Sequence, residues 1–375
     1  MRQASRRSGA FVYDLTDRQK LFGRKATRRR ILASNTKLFT TSAALDEFGA
    51  DGTFTTEVLA DRLPGRRGVV RGNLYLRGGG DPSFGSTSFA ERAYGGGGAT
   101  LSALARQVKR AGVRRVTGRV FGDESHFDSL RGGPDSGYGV SVWVGPLSAL
   151  SYNRGLARES GSAFQRRPPE FAAKKLKAAL SRRGIRVSGK AGASAAGGSA
   201  KPLAAVESLP IGRLVRLTNK ISDNFFAEML AKQLDATPSH PGTTAGGSAA
   251  AEAFAREFRA GTQLVDGSGL ARSNKASPRA VARLLRGMRR HRHFDAFYDS
   301  LAVAGQYGTL QDRKTNRRCR AKTGTISGVS ALSGYCRAVS GDLIAFSFLM
   351  NGIGYDYDRA RRLQDAMTQL IARWG

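Results

Sequence analysis

Residues 319–350 restrict the fold more than any other part of the chain. "CRAKTGTISGVSALSGYC" holds two β-compatible runs joined around Ser327-Gly328, and a third run, "LIAFSFLM", follows at 343–350. A turn that short can join only antiparallel strands. If the hairpin is centred on Ser327-Gly328, Cys319 faces Cys336. Directly opposed residues have Cα atoms ~4.5–5.5 Å apart, which is within disulfide reach. The reading expects a Cys319–Cys336 bridge and an oxidising compartment; two buried thiols are the alternative.

Around this sheet the chain changes texture twice. Residues 9–20 read as a strand and turn, and 34–48 as a helix. From 51 to 208 short strands ("FTTEVLA", "GNLYLRG", "RVTGRVFGD", "IRVSGKA") alternate with glycine-rich loops, interrupted by helices near 99–111 and 169–183. After 208 helical periodicity returns in "IGRLVRLTNKI", "NFFAEMLAKQL", "SAAAEAFAREF" and "SPRAVARLLRGM", the last with Ser277 as N-cap and Pro278 at the first helical position. An amphipathic helix at 356–373 closes the chain. The expected class is α+β. One discontinuous domain would comprise 1–50 and 209–375, and a β-rich insert 51–208, with two nested subdomains as an option.

Composition excludes several functions. The chain has 375 residues and only four histidines; His291 and His293 alternate with arginine on what reads as a solvated face. No HExxH or Cys/His spacing supports a metal site, and no G-x-S-x-G elbow supports a Ser-His-Asp hydrolase. The apolar run at 343–350 is too short to span a bilayer, and no secretory leader is visible at the N-terminus. The 61 Lys+Arg against 29 Asp+Glu give a net +32, which points to polyanionic surroundings. Zinc-finger, RNA-recognition and basic-zipper patterns are absent, so no specific nucleic-acid partner is expected.

The remaining chemistry lies in three short motifs. In "ASNTKLF" Ser34 opens a helix and Lys37 follows one turn later on the same face. The helix N-terminus favours a developing anion, and a desolvated Lys37 could act as a base. "SDN" places Ser222 and Asn224 at a helix–helix junction. "KTG" places Lys322, Thr323 and Gly324 on the first hairpin strand, where the glycine would admit a substrate backbone. A second S-x-N, Ser151-Tyr152-Asn153, lies in a loop of the insert and is set aside. Asp266 in "VDGSGL" reads as a turn-shaping residue.

S-x-x-K, S-D-N and K-T-G in this order are the signature of the penicillin-recognising serine enzymes. With "GNLYLRGGGDPSF", "GPLSALSYN", "VDGSGLAR" and "VAGQYGTL", the chain resembles the D-alanyl-D-alanine carboxypeptidase/endopeptidase family of the penicillin-binding-protein 4 type, peptidase family S13. The resemblance implies a β-lactamase/transpeptidase-like domain and hydrolysis of peptidoglycan stem peptides ending in D-Ala-D-Ala, without cofactor or metal. Ser34 would be the nucleophile and Lys37 its base, kept neutral with the help of the Lys322 charge. Ser222 would bridge the two lysines and relay the proton to the departing amine. Asn224 would hold the acyl-side amide. Thr323 and Thr325 would meet the terminal carboxylate, with the backbone N–H groups of Ser34 and Thr325 as oxyanion hole. β-Lactams would be covalent inhibitors, anionic wall polymers candidate partners, and the enzyme would be exported. The alternatives are a serine β-lactamase, though no E-x-x-x-N loop is seen, or a catalytically weak wall-binding protein of the same fold.

Overall fold

A computed structural model describes residues 4–375 and divides the chain into two compact units. The first contains 4–51, Ile211–Leu234 and Thr244–Gly375; the second contains Gly52–Pro210 and Asp235–Thr243.

The first unit is built on a five-stranded antiparallel sheet. Its strands are β1 (Gly9–Asp14), β2 (Gln19–Arg24), β3 (Cys319–Ile326), β4 (Val329–Arg337) and β5 (Leu343–Asn351), in the order β3-β4-β5-β1-β2. The helices are α1 (Thr36–Phe48), α2 (Ile211–Lys220), α3 (Asn224–Asp235), α4 (Thr244–Glu257), α5 (Pro278–Met288), α6 (Phe294–Ser300) and α7 (Tyr357–Ala372). The hairpin register is the expected one: Cys319 pairs with Cys336 and Ile326 with Val329, leaving Ser327-Gly328 as the turn. The Cys319–Cys336 disulfide is present.

β4 and β5 are buried along nearly their whole length because both faces of the sheet are covered. Strand alternation divides their side chains between two cores. Phe346, Phe348 and Cys336 pack with Ile371 and Ala372 of α7. Tyr335 points the other way, and its hydroxyl donates to Leu285 O of α5 at 2.7 Å. Ser277 caps α5 by accepting from Ala280 N, with Pro278 at the first position.

One sequence expectation is corrected here. His291 is not on a solvated face: its side chain is mostly buried, and Nε2 lies 2.9 Å from Asp46 Oδ1, tying the end of α5 to α1. The helix α6 has no sequence signal of its own, because seven residues rich in aromatics and aspartate carry no clear helical period.

The second unit contains a mixed sheet in the order Gly192–Ala193, Val120–Asp123, Leu74–Arg77, Thr55–Ala60, Lys201–Glu207. The first three strands are parallel, and the remaining pairings are antiparallel. The helices Leu101–Arg110 and Pro168–Ser181 add Leu104, Val108, Leu176 and Leu180 to its core. Three two-residue strands, Val69–Val70, Arg115–Val116 and Arg186–Val187, form a small parallel sheet. Asn153 belongs to this unit, where its Oδ1 accepts from Ser86 N at 2.8 Å, a purely structural contact.

Candidate active site

Ser34 lies in a single 3₁₀ turn, Ala33–Asn35, that feeds directly into α1. Ala33 has φ +47°, a left-handed conformation that a residue with a Cβ adopts only under local constraint. Two neighbours supply that constraint. A Cβ on Gly269 would sit 2.0 Å from Ala33 O, so only glycine lets the 266–271 turn press this close. From the other side Asn35 Nδ2 donates to Lys322 O of β3 at 3.1 Å.

Gly324 packs against the same turn. A Cβ there would meet Leu32 O and Ser34 N at 3.0 Å. Glycine is therefore required here by the close approach of the nucleophile's own turn, a requirement additional to the expected room for substrate.

Lys37 is fully buried on the first turn of α1 and makes three contacts. Its Nζ lies 3.1 Å from Ser34 Oγ, 2.7 Å from Asn224 Oδ1 and 2.7 Å from Ser268 O. A neutral amine has two N–H groups and one lone pair. The amide and peptide carbonyl oxygens can only accept, so they take the two protons and leave the lone pair facing the Ser34 hydroxyl.

Burial lowers the Lys37 pKa to about 8, opposed by the charges of Asp266, Glu228 and Asp223. Desolvation, the first of the two expected causes, thus acts on Lys37, while the expected help from the Lys322 charge is not among the causes. Lys322 itself is held well below the ordinary lysine range by burial and then by the Lys37 charge.

Glu228 and Asp266 build the floor under Lys37, and no sequence motif announced Glu228. Glu228 accepts from Gly267 N (3.2 Å) and Ser268 N (2.8 Å). Asp266 accepts from Gly269 N and Ala271 N, both at 2.7 Å, and from Asn274 Nδ2 at 2.8 Å. Together they fix the turn whose Ser268 carbonyl holds Lys37. Burial raises Glu228 to about 7 and also raises Asp266.

Ser222 connects α2 to α3 with φ +62°. Lys322 Nζ donates to its Oγ at 2.8 Å and to Thr323 O at 2.9 Å. Among the described residues no hydrogen bond joins Ser222 to Lys37, so the expected direct bridge between the lysines is corrected to a Ser222–Lys322 pair. Asn224 meets Lys37 rather than standing apart from it as a substrate contact alone.

β3 is an edge strand. Ala321 exchanges both backbone hydrogen bonds with Ala302 outside the sheet, at 2.9 and 3.1 Å. By two-residue alternation Thr323 and Thr325 turn their peptide groups to the same outer edge.

Ser34, Ser222, Thr323, Gly324 and Thr325 line one cavity of about 480 Å³, together with Arg313 and Arg361. Its single carboxylate is Asp312, and it offers no imidazole or thiolate, a poor donor set for a transition metal. Arg313 is tied to Asp365 at 2.7 Å and donates to Arg361 O at 3.1 Å. It thereby anchors the 303–316 loop to α7, the helix that carries Arg361.

A serine hydroxyl faced by a buried amine lone pair, beside an edge strand, can carry out acyl transfer. Comparison with known proteins agrees. The model of the D-Ala-D-Ala carboxypeptidase 3 (S13) family matches residues 3–158 and 155–374. The chain belongs to this family. It is 30% identical to the D-alanyl-D-alanine carboxypeptidase of Actinomadura sp. (strain R39), over 98% of this chain and 81% of that protein. It is 28% identical to carboxypeptidase DacB of Mycolicibacterium smegmatis, over 92% and 75%. Penicillin binding protein 4 (dacB) of Haemophilus influenzae shares the fold with a TM-score of 0.82 at 19% identity, covering 100% of this chain and 98% of that one. The S13 chain described here therefore has a transpeptidase-like α+β fold.

Proposed function

We propose that this S13 enzyme is a serine-type D-Ala-D-Ala carboxypeptidase or endopeptidase that hydrolyses peptidoglycan stem peptides through an acyl-enzyme on Ser34. The observation that carries the reading is the pair of carbonyl acceptors on Lys37, which leaves its lone pair to the Ser34 hydroxyl. Ser34 Oγ attacks the carbonyl carbon of the D-Ala-D-Ala bond as its proton passes to Lys37. The oxyanion is held by the backbone N–H groups of Ser34 and Thr325. As the C–N bond breaks, the Ser222 hydroxyl protonates the departing amine and is replenished from Lys322, its hydrogen-bond partner. Water then cleaves the ester, restoring Ser34 and releasing the acid.

Asn224 is the candidate for the acyl-side amide, while Thr323 and Thr325 are candidates for the terminal carboxylate. A β-lactam places its own carbonyl in the same position and leaves a long-lived ester. The wall substrate and the Cys319–Cys336 bridge both argue for an exported enzyme. No helix among the described residues is long and apolar enough to cross a membrane.

Intact-protein mass spectrometry after incubation with penicillin, followed by peptide mapping, tests the assignment. The expected result is one adduct per chain, on Ser34. A chain that remains unmodified, or is modified elsewhere, would overturn it, and rapid multiple turnover of penicillin would favour a β-lactamase.

A further inference from the structure

The catalytic reading uses little of the net +32 charge. Part of that charge is concentrated in a second concave site. Arg279, Arg283 and Arg286 recur at helical spacing on one face of α5, over about 10 Å, and Arg290 extends the row past the helix end. Arg259 faces them from the turn after α4, in a left-handed conformation (φ +54°). Arg283 Nη1 donates to Arg259 O at 3.0 Å, which closes one end of a groove of about 300 Å³.

Arg259, Arg283, Arg286 and Arg290 line the groove, with Glu257 as its one carboxylate and Phe258 beneath. Among the described residues none of these arginines is in an ion pair. Burial, and then the charges of Arg279, Arg286 and Arg259, hold the Arg283 pKa below the ordinary arginine range. The N-terminal end of the row adjoins the basic turn 24–30, "RKATRRR", through the Arg279 N to Ala26 O bond.

We propose that this groove binds a linear phosphodiester polyanion of the polyol-phosphate type found in cell walls. Guanidinium forks match phosphate oxygens bidentately, and a row of cations spaced about 5–6 Å apart along a helix suits a chain of repeated phosphates better than a single ion. The choice of a wall polymer over nucleic acid rests on the hydrolase reading and on two local facts. Among the described residues the groove has a single lining aromatic, Phe258, half-buried against Gly287, and Tyr13 lies under the Arg286 guanidinium, so no series of rings is available for successive bases to stack on. The disulfide places the chain in an oxidising compartment.

The test uses the full chain and fluorescently labelled poly(glycerol phosphate), with inorganic phosphate and a single-stranded oligonucleotide as comparison probes, at about physiological ionic strength. Arg286→Glu/Arg290→Glu should weaken polymer binding about tenfold or more and flatten the dependence of log K on log salt by about 1.5. Arg66→Glu/Arg67→Glu, the same charge change at exposed positions of the other unit, should cost less than about twofold. Should the first variant misfold, Arg286→Gln/Arg290→Gln asks the same question without charge reversal.

Equal losses in groove and control variants would reduce the effect to bulk charge and overturn the site. So would tighter binding of the oligonucleotide than of the polymer, or polymer binding no stronger than that of inorganic phosphate. Penicillin labelling of Ser34 in the same samples reports the hydrolase reading separately, because no groove residue touches the catalytic cavity.

Discussion

At the scale of single residues, the site depends on where one proton sits. The S-x-x-K spacing makes Lys37 visible as a candidate base that desolvation would activate, but the extent of its burial and the groups that surround it cannot be read from a motif. Glu228 and Asp266 were hidden or underrated for the same reason: their importance comes from the turn they hold, which assembles only in three dimensions. With Lys37 at about 8, about a tenth of it is neutral at pH 7. Acylation by penicillin should therefore rise with pH and level off above about 8. Lys37→Met should lower the acylation rate by ~10²–10⁴-fold, and a flat pH profile or normal labelling would refute the base assignment. Stability follows from the same shift. Below pH 8 folded and unfolded chains both carry the proton, so the full cost of a buried ammonium is present. Between about 8 and the ordinary value of 10.5 the folded chain releases its proton first, and the Lys37 contribution to stability rises by about 3 kcal/mol.

At the scale of elements, the hairpin was the most legible part of the molecule. Two cysteines symmetric about a Ser-Gly turn specify a register, and a one-residue slip would have moved every side chain to the wrong face. The role of its glycine was not legible, since the element that presses on Gly324 comes from the far end of the sequence. These two features of one strand should separate experimentally. Cys319→Ser/Cys336→Ser opens a loop of sequence separation 17 and should cost about 3 kcal/mol in denaturant unfolding, with penicillin labelling retained. Gly324→Ala places a methyl group 3.0 Å from Ser34 N, so β3 or the nucleophile turn must shift by a few tenths of an ångström. Acylation should fall about tenfold or more with little change in the unfolding midpoint. The opposite pattern, a stability loss in the glycine variant with intact acylation kinetics, would show that the close packing at Gly324 does not set the site geometry.

At the scale of the whole chain, motifs locate side chains that must be chemically particular and miss those that matter by position. The two- to seven-residue strands of the second unit pair partly in parallel, and their glycine-rich texture indicated strands without indicating partners or direction. Arg361 is the functional counterpart of that blindness. Nothing in "YDYDRARRLQ" distinguishes it from its neighbouring arginines, yet α7 brings it to the cavity that holds Ser34, Thr323 and Thr325. Its Asp358 partner is mostly exposed and 3.8 Å away, a weak competitor for the guanidinium. Lys322, the cation expected behind the terminal carboxylate, is held well below its ordinary pKa, whereas a guanidinium keeps its charge at any working pH. The terminal carboxylate of the substrate should therefore draw on Arg361 as well as on the two threonines. Arg361→Ala should raise KM for a D-Ala-D-Ala peptide about tenfold with kcat nearly unchanged, the pattern for an interaction made equally in ground and transition states. Arg361→Lys should recover part of that loss, because it restores the charge without the planar fork. An unchanged KM in the alanine variant would return the carboxylate to Thr323, Thr325 and Lys322 alone.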